Sequence, residues 1–113
     1  MEIIMAFKDI KNALEDLFDG TPEIWRDLCA DDIHFESIHG SHSGNSFKTK
    51  DEMYAMHQEL GSRGDADVRC LIETDSVISV THASPRSSDE IYVNVSHIED
   101  GKVKACYYAK TNR

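Results

Sequence analysis

Residues 67–109 read DVRCLIETDSVISVTHASPRSSDEIYVNVSHIEDGKVKACYYA, and this stretch decides the fold. Segments 68–74, 77–83, 91–98 and 103–109 are rich in β-branched and aromatic residues, the composition of extended chain. Between them stand Asp75-Ser76, then 85–89 with Pro85, then Glu99-Asp100-Gly101, all short and built from turn formers. Four strands in series with such joins pair most economically as an antiparallel meander.

Upstream the period changes from two to between three and four. Ile4, Phe7, Ile10, Leu14, Leu17 and Phe18 share one helical face, and Gly20 follows as a stop. Thr21-Pro22-Glu23 reads as a cap with proline at the first helical position, so a short second helix is expected with Ile24, Trp25, Leu28 and Cys29 on its buried side. Asp31-Asp32 is expected to break it and to cap a turn. The alternation from Ile33 to Ile38 predicts a half-buried strand. A loop rich in Gly, Ser and His follows over 39–46, and Phe47 is placed on a brief return strand. Thr49-Lys50-Asp51-Glu52 has the spacing in which each end of a capping box satisfies the other, and Met53, Met56, His57 and Leu60 share a face until Gly61. The order is therefore α-α-β-β-α-β-β-β-β, an α+β domain over residues 1–113.

The chain has 113 residues, 40% apolar and 29% charged, enough for one core under a hydrated surface. Its net charge of −9, from 21 acidic and 12 basic residues, repels a phosphate backbone or an anionic lipid surface, so no nucleic acid and no membrane partner is expected. No stretch approaches the ~20 apolar residues that span a bilayer, and the first residues carry no positively charged lead-in, so a cytoplasmic location is expected. Cys29, Cys70 and Cys106 are odd in number, widely spaced and set among apolar residues, which predicts reduced, buried thiols.

The order of elements, together with Trp25-x-x-Leu28-x-x-Asp31-Asp32-x-x-Phe35, Lys50-x-Glu52 and Glu99-Asp100-Gly101-Lys102-Val103 followed by Tyr107-Tyr108, resembles the nuclear transport factor 2-like superfamily. That superfamily includes SnoaL-like cyclases, ketosteroid isomerases, limonene epoxide hydrolases and scytalone dehydratases. The resemblance implies a cone-shaped, curved mixed or antiparallel sheet wrapped on three helices. It also implies a concave pocket for a small apolar molecule, and an outer sheet face that pairs two subunits into a homodimer. It does not imply one activity, because a fold hosts many.

Ketosteroid isomerases use an aspartate base, a helix-one tyrosine and a protonated late-strand aspartate. The matching positions here fall on Ser37, on Ala13 or Leu14, and on Val93 or Val95, which offer neither that base nor those donors. The epoxide hydrolases of this fold imply an Asp-Arg-Asp set, and the basic strand residues Arg69, Lys104 and Lys110 show no acidic partner of matching parity in the sequence.

Alternating side chains sort the candidates for a pocket wall. Taking the valines as inward gives Ile78, Val80 and His82, then Ile91, Val93, Val95 and His97, then Val103, Ala105, Tyr107 and Ala109. Tyr92, Asn94, Ser96, Ile98, Cys106 and Tyr108 then join Ser79 and Thr81 on the opposite, subunit-pairing face. Counting through the hairpins sets His82 beside Tyr92 and Tyr92 near Ala109, so His82 and Tyr107 become a candidate pair for proton transfer, or simply a hydrogen-bonded part of the wall. Phe35, Ser37, Met53, Met56, His57, Leu60, Val80, Val95, His97 and Val103 complete the expected pocket. His82 and His97 lie too far apart to share a metal, and His39 and His42 sit in a glycine-containing loop without further ligands nearby, so no metal and no cofactor is expected. Two function classes remain: a binding protein for a small apolar molecule, or a cofactor-free isomerase, lyase or cyclase. A structural dimeric domain without ligand is a third.

Overall fold

The computed structural model describes residues 5–37, 46–47, 49–62, 67–83 and 90–112. Three helices, α1 (Phe7–Phe18), α2 (Glu23–Leu28) and α3 (Lys50–Leu60), pack on one side of a six-stranded sheet made of β1 (Cys29–Ser37), β2 (Ser46–Phe47), β3 (Asp67–Glu73), β4 (Val77–Ala83), β5 (Glu90–Glu99) and β6 (Lys102–Asn112). Strand order across the sheet is β2-β1-β6-β5-β4-β3. The meander from β3 to β6 is antiparallel throughout, and β1 enters beside β6 in parallel, which makes the sheet mixed.

Local chemistry explains each helix. The backbone N–H of Ala6 donates to Asp9 Oδ2 at 2.9 Å and opens α1, whose Ile10, Ala13, Leu14, Leu17 and Phe18 form the buried stripe. Gly20 has φ +98°, and a β-carbon there would meet the Ser62 backbone N at 3.2 Å, so the turn after α1 needs glycine on two counts. Thr49 caps α3: its Oγ1 accepts from the Glu52 amide at 3.2 Å and donates to Glu52 Oε1 at 3.1 Å, closing the box between side chains. Trp25, 1% exposed, donates its indole N–H to Met53 Sδ at 3.3 Å and ties α2 to α3. Asp100 and Gly101, at φ 53° and 73°, form the two-residue turn that fixes Glu99 opposite Lys102.

Four expectations are corrected. Pro22 caps α2 from outside the helix, and Ile24 is 44% exposed. Asp31 and Asp32 cap no turn; they extend β1, which starts at Cys29, and they are exposed beside Lys50 and Lys104. Those two lysines offset the poor strand propensity of paired aspartates. Cys70 is exposed on the edge strand β3, where only Val68 is buried, whereas Cys29 and Cys106 are buried and all three thiols are free. Burial pushes the Cys29 thiol well up, and it pushes Cys106 up to about 12 against the opposing hydrogen bonds of Ser96 and Asn94.

Candidate functional site: a concave cavity with one polar wall

Residues directly opposite one another in an antiparallel ladder share a face, so register assigns the concave wall. His82 stands opposite Tyr92, Val80 opposite Asn94 and Ile78 opposite Ser96. On the other side of β5, Asn94 faces Tyr108 and Ser96 faces Cys106, which in turn lies beside Phe35 of β1. These rows grade from closed to open. Ile78, Ser96 and Cys106 are 0% exposed and are covered by the helices, Asn94 is 4% exposed, and Tyr92 and Tyr108 are half-buried.

The space left above the closed row is a cavity of about 380 Å³. Helices supply its apolar side through Leu14, Leu17 and Phe18 of α1, Trp25 of α2, and Met56 and Leu60 of α3. Phe35 and His57 also line it, and the rest of the sheet contributes His82, Tyr92, Asn94 and Tyr108. Its volume lies at the lower end of the ~300–1,000 Å³ of ligand pockets. No Asp, Glu, Lys or Arg lines it among the described residues.

Six rings follow one another around this wall. Phe18 meets His82 edge-on at 5.1 Å, His82 stacks on Tyr92 at 5.2 Å with 6° between planes, and Tyr92 meets Tyr108 at 6.3 Å. Tyr108 packs on Phe35 at 5.1 Å, and Phe35 meets His57 edge-on at 5.9 Å. Beneath them Ser96 Oγ donates to Asn94 Oδ1 at 3.0 Å.

Of the residues expected at the pocket, Phe35, Met56, His57, Leu60 and His82 line the cavity. Met53, Val80 and Val103 are 0% exposed and belong to the packed core beneath it. Ser37 ends β1 with its backbone paired to Tyr108. The parity chosen for β5 and β6 is corrected. Val95 stands opposite Ser79 and Tyr107, His97 opposite Val77 and Ala105, and all of them point to the convex face. Tyr107 contacts His34 at 5.6 Å and His97 at 5.9 Å there, so it does not meet His82. Tyr92, Asn94, Ser96, Ile98, Cys106 and Tyr108 accordingly leave the convex face, where Ser79 and Thr81 remain. A bulge between His97 and Ile98 lets Val103 point inward although Ala105 does not.

The signal that finds the missed residues was present: a hairpin that sets His82 beside Tyr92 places both on one face. Arg69 and Lys104 do have acidic partners, Asp67 at 3.1 Å and Asp32, but on exposed surface outside the cavity lining. His39, His42 and the turn at 85–89 lie outside the described residues, as does the side chain of Lys110. Among the described residues no three His, Cys, Asp or Glu side chains converge on a metal-sized site.

Neither a family model nor a curated protein matches the sequence. Solved structures do. An NTF-2 like protein of Burkholderia xenovorans superposes with a TM-score of 0.69 at 16% identity, over 94% of this chain and 85% of that one. A de novo designed protein with a curved β-sheet gives 0.69 at 15% identity, over 95% and 88%. An LEH-like epoxide hydrolase of M. tuberculosis gives 0.60 at 10% identity, over 92% and 78%. The architecture is thus the curved-sheet α+β fold of nuclear transport factor 2-like proteins. At these identities the likeness defines the fold and leaves the chemistry to the cavity.

Proposed function

We propose that this chain is a binding protein for a small, largely apolar molecule held in the concave cavity. The observation that carries the reading is the composition of the wall: an apolar helical side facing one polar strip, with no Asp, Glu, Lys or Arg among the described lining. His82 and Tyr107 do not form a proton-transfer pair, because their side chains occupy opposite faces of the sheet.

The test uses Trp25, the only tryptophan, whose side chain lines the cavity. Titration with a naphthalene probe should quench its fluorescence saturably, and the cavity-filling change Met56→Phe should weaken uptake at least tenfold. Unsaturable quenching, or equal uptake by the filled variant, rejects the reading.

The convex face supports a second component of the proposal, a homodimer. Val93, Val95, Ala105 and Tyr107 are half-buried there with His34 beside Tyr107, a surface that combines apolar area with a wettable rim. Light scattering should give twice the 12.8 kDa chain mass, and Tyr107→Glu should return it to one. A single-chain mass for the unmodified protein at tens of micromolar contradicts it. No helix among the described residues is long and apolar enough to cross a membrane.

A further inference from the structure

We infer that the cavity selects a neutral, flat, ring-containing molecule that presents a hydrogen-bond acceptor to the carboxamide N–H of Asn94, and that Ser96 is the positioning residue that fixes this polarity. The inference rests on the binding reading above and specifies its ligand.

Neutrality follows from the lining. An ionised group brought into the cavity would lose water and find no Asp, Glu, Lys or Arg among the described lining side chains, so uncharged molecules enter at least cost. Flatness follows from the rings. From Phe18 through His82, Tyr92, Tyr108 and Phe35 to His57, successive centroids are 5.1 to 6.3 Å apart, so the wall is a continuous band of π-faces and edges. Such a band gains most from a planar guest stacked or edge-on against it.

The acceptor preference comes from one buried hydrogen bond. Asn94 is 4% exposed and Ser96 is 0% exposed, and their side chains lie on the same face two residues apart. The Ser96 hydroxyl donates a hydrogen bond to Asn94 Oδ1 at 3.0 Å. Turning the carboxamide over would make the hydroxyl accept from the amide N–H and leave its own O–H only Cys106 Sγ, 3.9 Å away, a weak acceptor in place of a carbonyl oxygen. The amide is therefore held with its oxygen toward Ser96. Asn94 lines the cavity, so its N–H edge, turned away from Ser96, is the donor left for a guest. Tyrosine hydroxyls on this wall can rotate to give or to accept, so they discriminate little. The amide cannot, and an unmatched buried donor penalises a guest that lacks an acceptor.

Calorimetry with three two-ring probes tests this: 2-acetylnaphthalene, 2-ethylnaphthalene and a naphthyltrimethylammonium salt. The full chain should bind the ketone at least tenfold tighter than the ethyl compound, and the cation more weakly than either. Asn94→Leu should bring the ketone down to the affinity that the ethyl compound shows for the same variant, with a far-ultraviolet circular dichroism spectrum matching the unmodified chain reporting an intact fold. Ser96→Ala should shrink the ketone-to-ethyl ratio to threefold or less while ethylnaphthalene binds as before, a change of selectivity that a general loss of packing would not produce. Ketone and ethyl compound binding the unmodified chain within twofold of each other would overturn the Asn94 assignment and leave the binding reading standing. The cation binding as tightly as the ketone would overturn neutrality. Failure of all three probes to bind would overturn the binding reading and this inference with it.

Discussion

Val80→Ala and Val95→Ala remove the same atoms from neighbouring strands at the centre of one sheet, but from opposite faces. Val80 is 0% exposed and stands opposite Asn94, whereas Val95 is half-buried and stands opposite Ser79. At Val80 the lost transfer energy of two methyl groups is about 1.6 kcal/mol at ~0.8 kcal/mol per group. The void left in the core adds to this at ~24 cal/mol per Å³, for a total of about 2–3 kcal/mol. At Val95 solvent fills the space and part of the side chain was never dehydrated, so the cost stays under about 1 kcal/mol. At ~4 °C per kcal/mol for a domain of this size, the melting temperatures should fall by roughly 8–12 °C and by less than about 4 °C. Thermal unfolding followed by circular dichroism, at two protein concentrations to separate any dimer contribution, reads both. Equal losses, independent of concentration, would refute the assignment of faces on which the cavity depends.

Three further outcomes follow from individual groups. In native protein a disulfide-exchange reagent should titrate one thiol quickly, Cys70, and all three only after denaturation, because Cys29 and Cys106 are buried and their thiols pushed up; fast reaction of more than one would contradict this burial. A hydrogen bond from Lys104 holds the Asp32 carboxyl below the usual carboxylate range, and the same bond holds the Lys104 ammonium above its own. The pair therefore stabilises between about pH 4 and pH 10, its acid contribution lost as pH falls through the lowered Asp32 value. Asp32→Asn should lower the urea midpoint slightly at pH 7 and converge with the unmodified protein near pH 2, and the opposite trend would exclude the pair. Gly20→Ala should cost about 1–2 kcal/mol in urea unfolding, because both its φ and the Ser62 backbone resist a β-carbon; an unchanged midpoint would show that the turn relaxes.

The element order was legible because it rests on local signals. The stripe of α1, the Thr49–Glu52 box and the Asp100-Gly101 turn are each contained within a few residues. What could not be read was non-local. Nothing in 29–37 announces a parallel partner some seventy residues later, and Asp31-Asp32 resembles a break until Lys50 and Lys104 arrive beside it. The cavity wall was misassigned for a related reason. Hydrophobicity marked Val93 and Val95 as inward, yet the concave strip carries Tyr92, Asn94 and Ser96. A lined cavity uses polar and aromatic groups, while the convex surface keeps β-branched residues that suit a pleated strand. Pairing geometry, which placed His82 beside Tyr92, was the better guide. Cys70 misled in the opposite sense, since an apolar sequence context on an edge strand does not ensure burial.

The most direct test is where a bound molecule sits. Intermolecular nuclear Overhauser effects from 2-acetylnaphthalene should reach the Met56 methyl and the rings of Tyr92 and Tyr108, with none to Val95 or Tyr107. Contacts to Val95 and Tyr107 instead, or to neither set, would contradict the concave chamber on which the account stands.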